Sequence, residues 1–362
     1  MTEEHRCWVE IDREALRHNA ALARRRVGGA ELLAVVKANA YGHGMQGVAE
    51  ALRKHAQLFG VANLEEATTL RASLLHPIVI LGPALPDERS TIVARGFIPT
   101  ISTFDEAQAF ASAGRVSVNF KIDTGMGRMG VAEAEALALF KRVRALPNVT
   151  VQSVSTHLPV ANEETDYTQH QLARFTQLVH QFRAQSPGDY KVHVLQSSGT
   201  LAFNQTPHDI VRVGIMLYGI SPLPEFQKLL RPVMTWKTRI GLIRDVAKGA
   251  SISYGRTFIA PRRMRVATVT AGYADGYPRH LSNRGAHMLV RGTRCDLLGR
   301  VTMDLMVIDV SHLAEAAVGD EVVLMGREGE QEISANELAE KAGTISWEIT
   351  TRIGQRVKRV FV

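Results

Sequence analysis

Short apolar, β-branched runs recur through the first two thirds of the chain. They are LLAVVK (32–37), LFGVAN (58–63), PIVILG (77–82), FIPTIS (97–102), VSVNFKID (116–123), VTVQSVSTH (149–157), VHVLQSS (192–198) and DIVRVGI (209–215). Each has the length of a strand, and most are apolar at nearly every position, the pattern of strands buried on both faces. Between them lie stretches with helical spacing: MQGVAEALRKH (45–55), LEEATTLRASL (64–74), AEAEALALFKRVRAL (132–146) and TQHQLARFTQLVHQFRAQ (168–185). Strands alternating with helices predict parallel βαβ units. Eight such strands predict an α/β fold with a closed (β/α)8 barrel, and an open doubly wound sheet is the alternative.

Beyond residue 230 the rhythm changes. RPVMTWKTRIGLIRDV, MRVATVTAGYADGY, AHMLVRGTRCDLLGRVTMDLMVIDV and EVVLMGR alternate apolar and polar positions around Gly and Asp turns. This predicts a mainly antiparallel β domain. ISANELAEKAG (333–343) predicts one short helix, with Ser334 as N-cap and Glu337 three residues on. The Pro-rich SPLPE (221–225) lies at the boundary. The expected division is a barrel over 1–230 and a β domain over 231–362, with the first residues free to pack on the latter.

Composition sets limits on this picture. Hydrophobic residues make up 45% and charged residues 22% of the 362 positions, which suits a folded enzyme rather than a disordered chain. No apolar run approaches the roughly 20 residues that span a bilayer. The N-terminal MTEEHRCWVEID lacks the apolar stretch of a signal peptide, so the expected location is cytoplasmic. Cys7 and Cys295 form no metal-ligand spacing and read as two reduced thiols. The net charge of +7 is uneven: residues 1–230 hold 23 basic against 22 acidic side chains, and the remainder 20 against 14. Arg24-Arg25-Arg26 is the longest basic run. A solvated basic face or attraction for anionic ligands follows, and neither nucleic acid nor membrane is expected as a partner.

In an eight-stranded barrel the functional groups gather at the carboxyl ends of the strands. Lys37, Asn63, Lys121 with Asp123, His157, Gln196 with Ser197, and Arg212 stand there. A lysine at a strand end ordinarily snorkels to water. Lys37, however, opens a polar turn through Asn39, Tyr41, Gly42, His43 and Gly44. A lysine partly desolvated in a barrel mouth loses proton affinity and becomes a Schiff-base nucleophile.

The segment AVVKANAYGHG around Lys37 is similar to the cofactor-lysine segment of the alanine racemases, a family of fold-type III pyridoxal-phosphate enzymes. FKIDTGMGRMG (120–130), STHL (155–158), VRVGIMLYG (211–219), SYG (253–255), GYADGY (272–277) and GRVTMD (299–304) continue the resemblance in the family's order over nearly the whole chain. It implies a (β/α)8 barrel followed by a β domain, pyridoxal 5'-phosphate as cofactor, and racemisation of L- and D-alanine by a homodimer with shared active sites. It implies that Lys37 carries the cofactor as an internal aldimine and acts as one base. Tyr254 of the partner subunit is the implied second base, on the opposite face and linked to His157. Two opposed bases are what racemisation needs, since a proton leaves one face and returns to the other.

Arg212 is implied to face the pyridine nitrogen, supported by His193. A guanidinium does not readily give up its proton, so the ring nitrogen stays unprotonated. Arg128 is implied to pair with the substrate carboxylate through its planar fork. Lys121 orients it, and many members carry that lysine as a carbamate. Tyr41, Ser197 and the amides of Gly214 and Ile215 are the implied phosphate ligands. Met303 would lend an amide to the substrate carboxylate, and Tyr273 and Asp304 would line the entrance, all from the partner subunit.

The match departs at two positions. Trp347, in ISWEITTRIGQRVKRV, stands where the family has a tyrosine that reaches the phosphate and borders the side-chain pocket. Tryptophan offers one N–H donor and more bulk. Strict alanine preference therefore does not follow, and serine or a broader set of small amino acids is the alternative substrate. Gln196 stands where asparagine is usual. Three other classes compete. A fold-type III decarboxylase would set a carboxylate, not Arg212, at the pyridine nitrogen. A non-enzymatic pyridoxal-phosphate carrier would need neither the β domain nor Tyr254. A metal-dependent barrel hydrolase would need a close histidine pair, which His43, His157 and His193 do not supply.

Overall fold

The computed structural model describes residues 5–203 and 208–362. The chain forms two compact units: Glu14–Ala40 with Met45–Arg231, and residues 5–13 with Tyr41–Gly44 and Pro232–Val362. In the first, eight parallel strands run in the order Ile210–Val213, Glu31–Val35, Leu58–Val61, Ile78–Ile80, Ile98–Ile101, Val116–Asp123, Val149–Ser155 and Lys191–His193. Asp209 N–H donates to Val192 O (2.8 Å) and Arg212 N–H to Leu195 O (2.9 Å), which joins the two ends of the sheet into a barrel. The eight strands coincide with the eight apolar runs. Every residue of Leu58–Val61, Ile78–Ile80, Ile98–Ile101 and Ile210–Val213 is buried, which is why these segments read as unbroken apolar stretches.

The intervening helices start on side-chain caps. Asn63 accepts the Glu66 amide ahead of Leu64–Arg71, and Thr103 and Glu106 form a reciprocal capping box on Phe104–Ala113. Phe120, on the strand Val116–Asp123, forms an aromatic cluster with Phe140, Phe182 and Tyr190, with Phe140 and Phe182 stacked at 4.4 Å. Each such pair adds about 0.5–1.5 kcal/mol beyond its buried area.

In the second unit, Cys7–Ile11 pairs antiparallel with Met234–Val246 and parallel with Lys358–Phe361, so residues near both ends of the chain share one sheet. The register between the long strand and its antiparallel partner Met264–Val269 shifts between Ile240 and Leu242, at a bulge. Trp236, fully buried, donates its indole N–H to Cys7 Sγ (3.2 Å). Both cysteines are free and buried. Ser334 caps Ala335–Ala342 through the Glu337 amide, and Gly343 ends that helix with a left-handed φ of 72°. A further short helix, Ser346–Thr351, carries Trp347, and the alternation of the sequence does not mark it. No helix among the described residues is long and apolar enough to cross a membrane.

Candidate active site

The first barrel strand ends at Val35, and the chain then makes a left-handed helical turn. Ala38, Asn39, Ala40 and Tyr41 have φ of 52°, 52°, 55° and 53°. This conformation costs most L-residues roughly 1–2 kcal/mol and Asn less, so Ala38, Ala40 and Tyr41 together cost on the order of 3–6 kcal/mol. Three hydrogen bonds oppose that cost. Ala40 N–H donates to Val36 O (2.8 Å), Ala38 N–H to Glu66 Oε1 (2.7 Å) and Met45 N–H to Asn39 Oδ1 (2.8 Å). Glu66 ties in the neighbouring strand end as well, accepting Ala62 N–H on Oε2 (2.8 Å). Backbone strain of this kind clusters at functional sites, and here it begins one residue after Lys37. Burial, and then the Arg128 guanidinium, lower the Lys37 pKa from its usual 10.5 against the opposing pull of Glu66. More of its amine is therefore free base near neutrality.

Arg212 projects from the last barrel strand and is 5% exposed. Its Nη1 donates to His193 Nδ1 (2.8 Å) and His193 O (2.8 Å). Its Nη2 donates to Thr156 O (2.6 Å) and Val194 O (3.1 Å), with His157 Nδ1 at 3.3 Å. Only the Nε–H lacks an acceptor among the described residues. Burial lowers the guanidinium to about 10, so it remains a cation at neutral pH. Burial first, then Arg212 and Lys121, push His157 and His193 well below 6.5. Both imidazoles are neutral, as their acceptor role toward a guanidinium requires.

Lys121 lies on the strand that also carries Asn119, two residues earlier and thus on the same inward face. Burial, Arg212 and Arg128 drive its pKa well below 10.5, and Asp123 opposes them. Asp123 Oδ1 accepts the amides of Gly125 (2.9 Å), Met126 (2.9 Å) and Gly127 (3.1 Å). Burial pushes this carboxyl up, but those amides and Lys121 hold it below the usual range. The loop folded around Asp123 leaves Arg128 exposed. A Cβ on Gly130 would lie 2.6 Å from Asp123 N, so the loop's return past the strand needs glycine.

Ser197 Oγ accepts the amides of Gly214 (3.1 Å) and Met216 (3.3 Å). Its own hydrogen remains available to an anion. The Gly214 amide, expected to be a phosphate donor, is thus engaged with Ser197, while the Ile215 amide has no acceptor among the described residues. Gln196 caps the helix Ser197–Ala202 by accepting Gly199 N–H (3.1 Å).

The other residues singled out by sequence lie in the β unit. Burial raises the Tyr41 phenol to about 12. Next to it, Gly42 has φ +87°, and a Cβ there would fall 2.0 Å from Thr350 O. Tyr254 is 71% exposed, on a tight turn whose preceding Ser253 has φ +64° and donates from its hydroxyl to Arg300 O (2.6 Å). Tyr273 and Met303 are exposed and lie on adjoining turns, where Tyr273 N–H donates to Thr302 O and Ala274 N–H to Met303 O, both at 3.0 Å. Asp304 accepts from Arg356 Nη2 (2.8 Å), and the same guanidinium grips the buried Asp275 at 2.7 and 2.9 Å. Trp347 is half-buried on its short helix. Sequence reasoning passed over Glu66, Asn119 and Arg356. Asn119 carried a usable signal, a polar residue at inward parity with Lys121 inside an apolar run. Among the described residues no group of three or more His, Cys, Asp or Glu side chains could hold a metal ion.

An eight-stranded parallel barrel that gathers a depressed lysine, a buried guanidinium and two neutral histidines, on the same chain as a β unit, has the make-up of a barrel enzyme. Residues 11–222 match the alanine racemase N-terminal domain, and residues 233–361 match the alanine racemase C-terminal domain. The chain belongs to the alanine racemase family, and it is an isomerase. It is 41% identical over 364 residues to an alanine racemase of Symbiobacterium thermophilum, covering 98% of this chain and 96% of that one. An alanine racemase of Methylacidiphilum infernorum is 37% identical, with 98% and 92% covered. Among solved structures, the alanine racemase of Bacillus anthracis with bound L-Ala-P superposes with a TM-score of 0.91 at 34% identity, covering 100% of this chain and 96% of that one. The biosynthetic alanine racemase of Pseudomonas aeruginosa gives 0.89 at 35% identity, with 99% and 100% covered.

Proposed function

We propose that the chain racemises alanine with pyridoxal 5'-phosphate held on Lys37, using Lys37 and Tyr254 of the partner subunit as opposed bases in a homodimer. The observation that carries this reading is Arg212, buried with every Nη hydrogen committed and one Nε–H to spare. That geometry offers a pyridine nitrogen a hydrogen bond without offering it a proton. A decarboxylase's carboxylate would do the reverse.

The residues present fit the cofactor. Lys37 brings an amine kept low by burial, and Ser197 and Ile215 bring a free hydroxyl and a free amide for the phosphate. Tyr41 and Trp347 are the further phosphate neighbours that this reading assigns. When bound, the cofactor supplies the electron sink that lets the substrate lose its α-proton. The chain's own groups do the rest. Arg128, exposed on its glycine loop, takes the substrate carboxylate by its planar fork. Lys121, its pKa driven well below 10.5 by burial and two guanidiniums, adds as free amine to the carbon of carbon dioxide and gives up a proton to solvent, leaving a carbamate that orients Arg128. Lys37 Nζ takes or returns the proton on one face and the Tyr254 oxygen on the other, with His157 as its neighbour. The partner subunit's Met303, Tyr273 and Asp304 complete the carboxylate site and the entrance.

Initial rates from L- and D-alanine, serine and lysine at fixed cofactor test the substrate. Turnover of another amino acid with none of alanine would refute it. Lys37→Ala removes both the visible cofactor absorbance and activity on this reading. Near-normal rates in both directions from Tyr254→Phe would overturn the two-base assignment.

A further inference from the structure

Asn119 sits in a continuous line of hydrogen bonds through the barrel interior. Arg212 Nη1 donates to His193 Nδ1 (2.8 Å), and His193 Nε2 lies 3.0 Å from Asn119 Oδ1. Asn119 Nδ2 donates to Thr100 Oγ1 (3.1 Å), and the Thr100 hydroxyl donates to Ile80 O (2.7 Å). Ser153 Oγ donates to the same Asn119 Oδ1 (3.0 Å) and lies 3.1 Å from His193 Nε2. All these side chains are buried. The line runs from the strand Ile210–Val213 to the strand Ile78–Ile80.

Its polarity is fixed at both ends. A guanidinium can only donate and a backbone carbonyl can only accept. His193 Nδ1 is therefore an acceptor, and a neutral ring must carry its hydrogen on Nε2. Asn119 Oδ1 is placed to receive that hydrogen, while its amide nitrogen passes a donor on to Thr100. A hydrogen on Nδ1 would meet the Arg212 N–H head-on. Arg212 is the charged group hydrogen-bonded to the ring, and Lys121, as an amine or as the carbamate proposed above, is the other titratable side chain acting on it.

We propose that Asn119 is a positioning residue: by accepting from Nε2 it fixes His193 in the Nε2–H tautomer, and so holds Arg212 with only its Nε–H uncommitted. The tautomer stands on this geometry alone; its effect on rate rests on the role proposed for Arg212. Without the acceptor at 119, the ring can turn or exchange tautomers, and Arg212 must shift its Nη1 and with it the Nε–H. Loss of such outer support typically costs about 10- to 100-fold in activity.

The test is the side-chain 15N spectrum of histidine-labelled, cofactor-loaded enzyme, with racemisation rates measured alongside. In the wild type, His193 is expected to show a protonated Nε2 and a bare Nδ1, unchanged from about pH 8 to about pH 5.5. Asn119→Leu is expected to alter that signature and lower kcat about 10- to 100-fold, with a much smaller change in KM. Asn119→Gln keeps a neutral amide acceptor and is expected to retain the Nε2–H signature and most of the rate. A wild-type His193 protonated on Nδ1, or titrating as an ordinary histidine, overturns the proposal. So does an Asn119→Leu variant with an unchanged signature, or a Gln variant as impaired as the Leu one. If Asn119→Leu does not fold, the wild-type spectrum and the Gln variant still decide. Failure of the racemase reading looks different: the Nε2–H signature is present, but the wild type does not racemise alanine.

Discussion

His157 and His193 flank Arg212, and this makes the barrel acid-labile in a defined window. Burial, then the guanidinium and Lys121, hold both imidazoles well below 6.5. Below 6.5 the unfolded chain binds protons at these sites and the folded chain does not. Stability therefore falls as the pH drops from 6.5 toward the folded values. Moving from about pH 7.5 to about pH 5.5 favours the unfolded form by at most about 1.4 kcal/mol per histidine, or about 2.7 kcal/mol for the two, the limit reached when the folded rings bind no proton at the lower pH. That is a large share of a typical domain stability of about 5–15 kcal/mol. His55 and His287 shift in the same direction but are less buried and add less. Asp123, Asp320 and Glu337 are held low, Glu337 at about 2, so their contributions are lost only in more acid solution. Urea unfolding at the two pH values, followed by a probe in the barrel, measures the difference. His193→Asn should remove about half of it, since one titrating group is gone. Equal stability at both pH values, or an unchanged pH dependence in His193→Asn, would refute the assignment of two neutral histidines.

Three further predictions concern local supports of the fold. Glu66→Gln keeps one acceptor but loses the charge on the bonds to Ala38 and Ala62, and should cost about 1–2 kcal/mol, the low end for charged hydrogen bonds at a partly exposed site. Thermal denaturation checks it, and an unchanged Tm would show that the left-handed turn does not depend on that carboxylate. Gly42→Ala adds a Cβ 2.0 Å from Thr350 O at φ +87°, so backbone strain and overpacking together should cost about 2–5 kcal/mol. A loss under about 1 kcal/mol in urea unfolding would mean the backbone yields there at little cost. Ser334→Ala removes the cap on Ala335–Ala342 and should cost about 1 kcal/mol, with a smaller loss from Ser334→Gly.

The barrel was legible because its strands are buried on both faces, and burial of that kind writes near-continuous apolar runs. The strand ends were legible for the same reason, since a polar side chain closing such a run has few other places to be. Asn119, Ser153 and Thr100 show where this logic stopped short. They lie inside the runs, at inward parity, and their polarity makes sense only once the strands curl so that His193 can reach across to Asn119. Parity along one strand is written in sequence; which strands face each other across the barrel is not.

The turn after Lys37 was hidden for a different reason. Ala-Asn-Ala-Tyr contains no glycine, and local propensity favours a right-handed helix there. The left hand is imposed by partners far off in sequence, with Glu66 gripping Ala38 from 28 residues away and Arg359 donating to Gly42 O (3.0 Å). Of the residues concerned, only Asn39 carries a local signal, because its side chain tolerates φ above zero and here spans the turn to Met45. Tyr254 represents a third case. At 71% exposure it leaves no trace in the burial pattern, so only the order of motifs along the chain could single it out. Packing periodicity thus reports what one unit buries, strain reports what distant contacts impose, and an exposed side chain such as Tyr254 is reported by neither. The barrel is read most completely at Lys121 and Arg212, where a polar group interrupts an apolar strand.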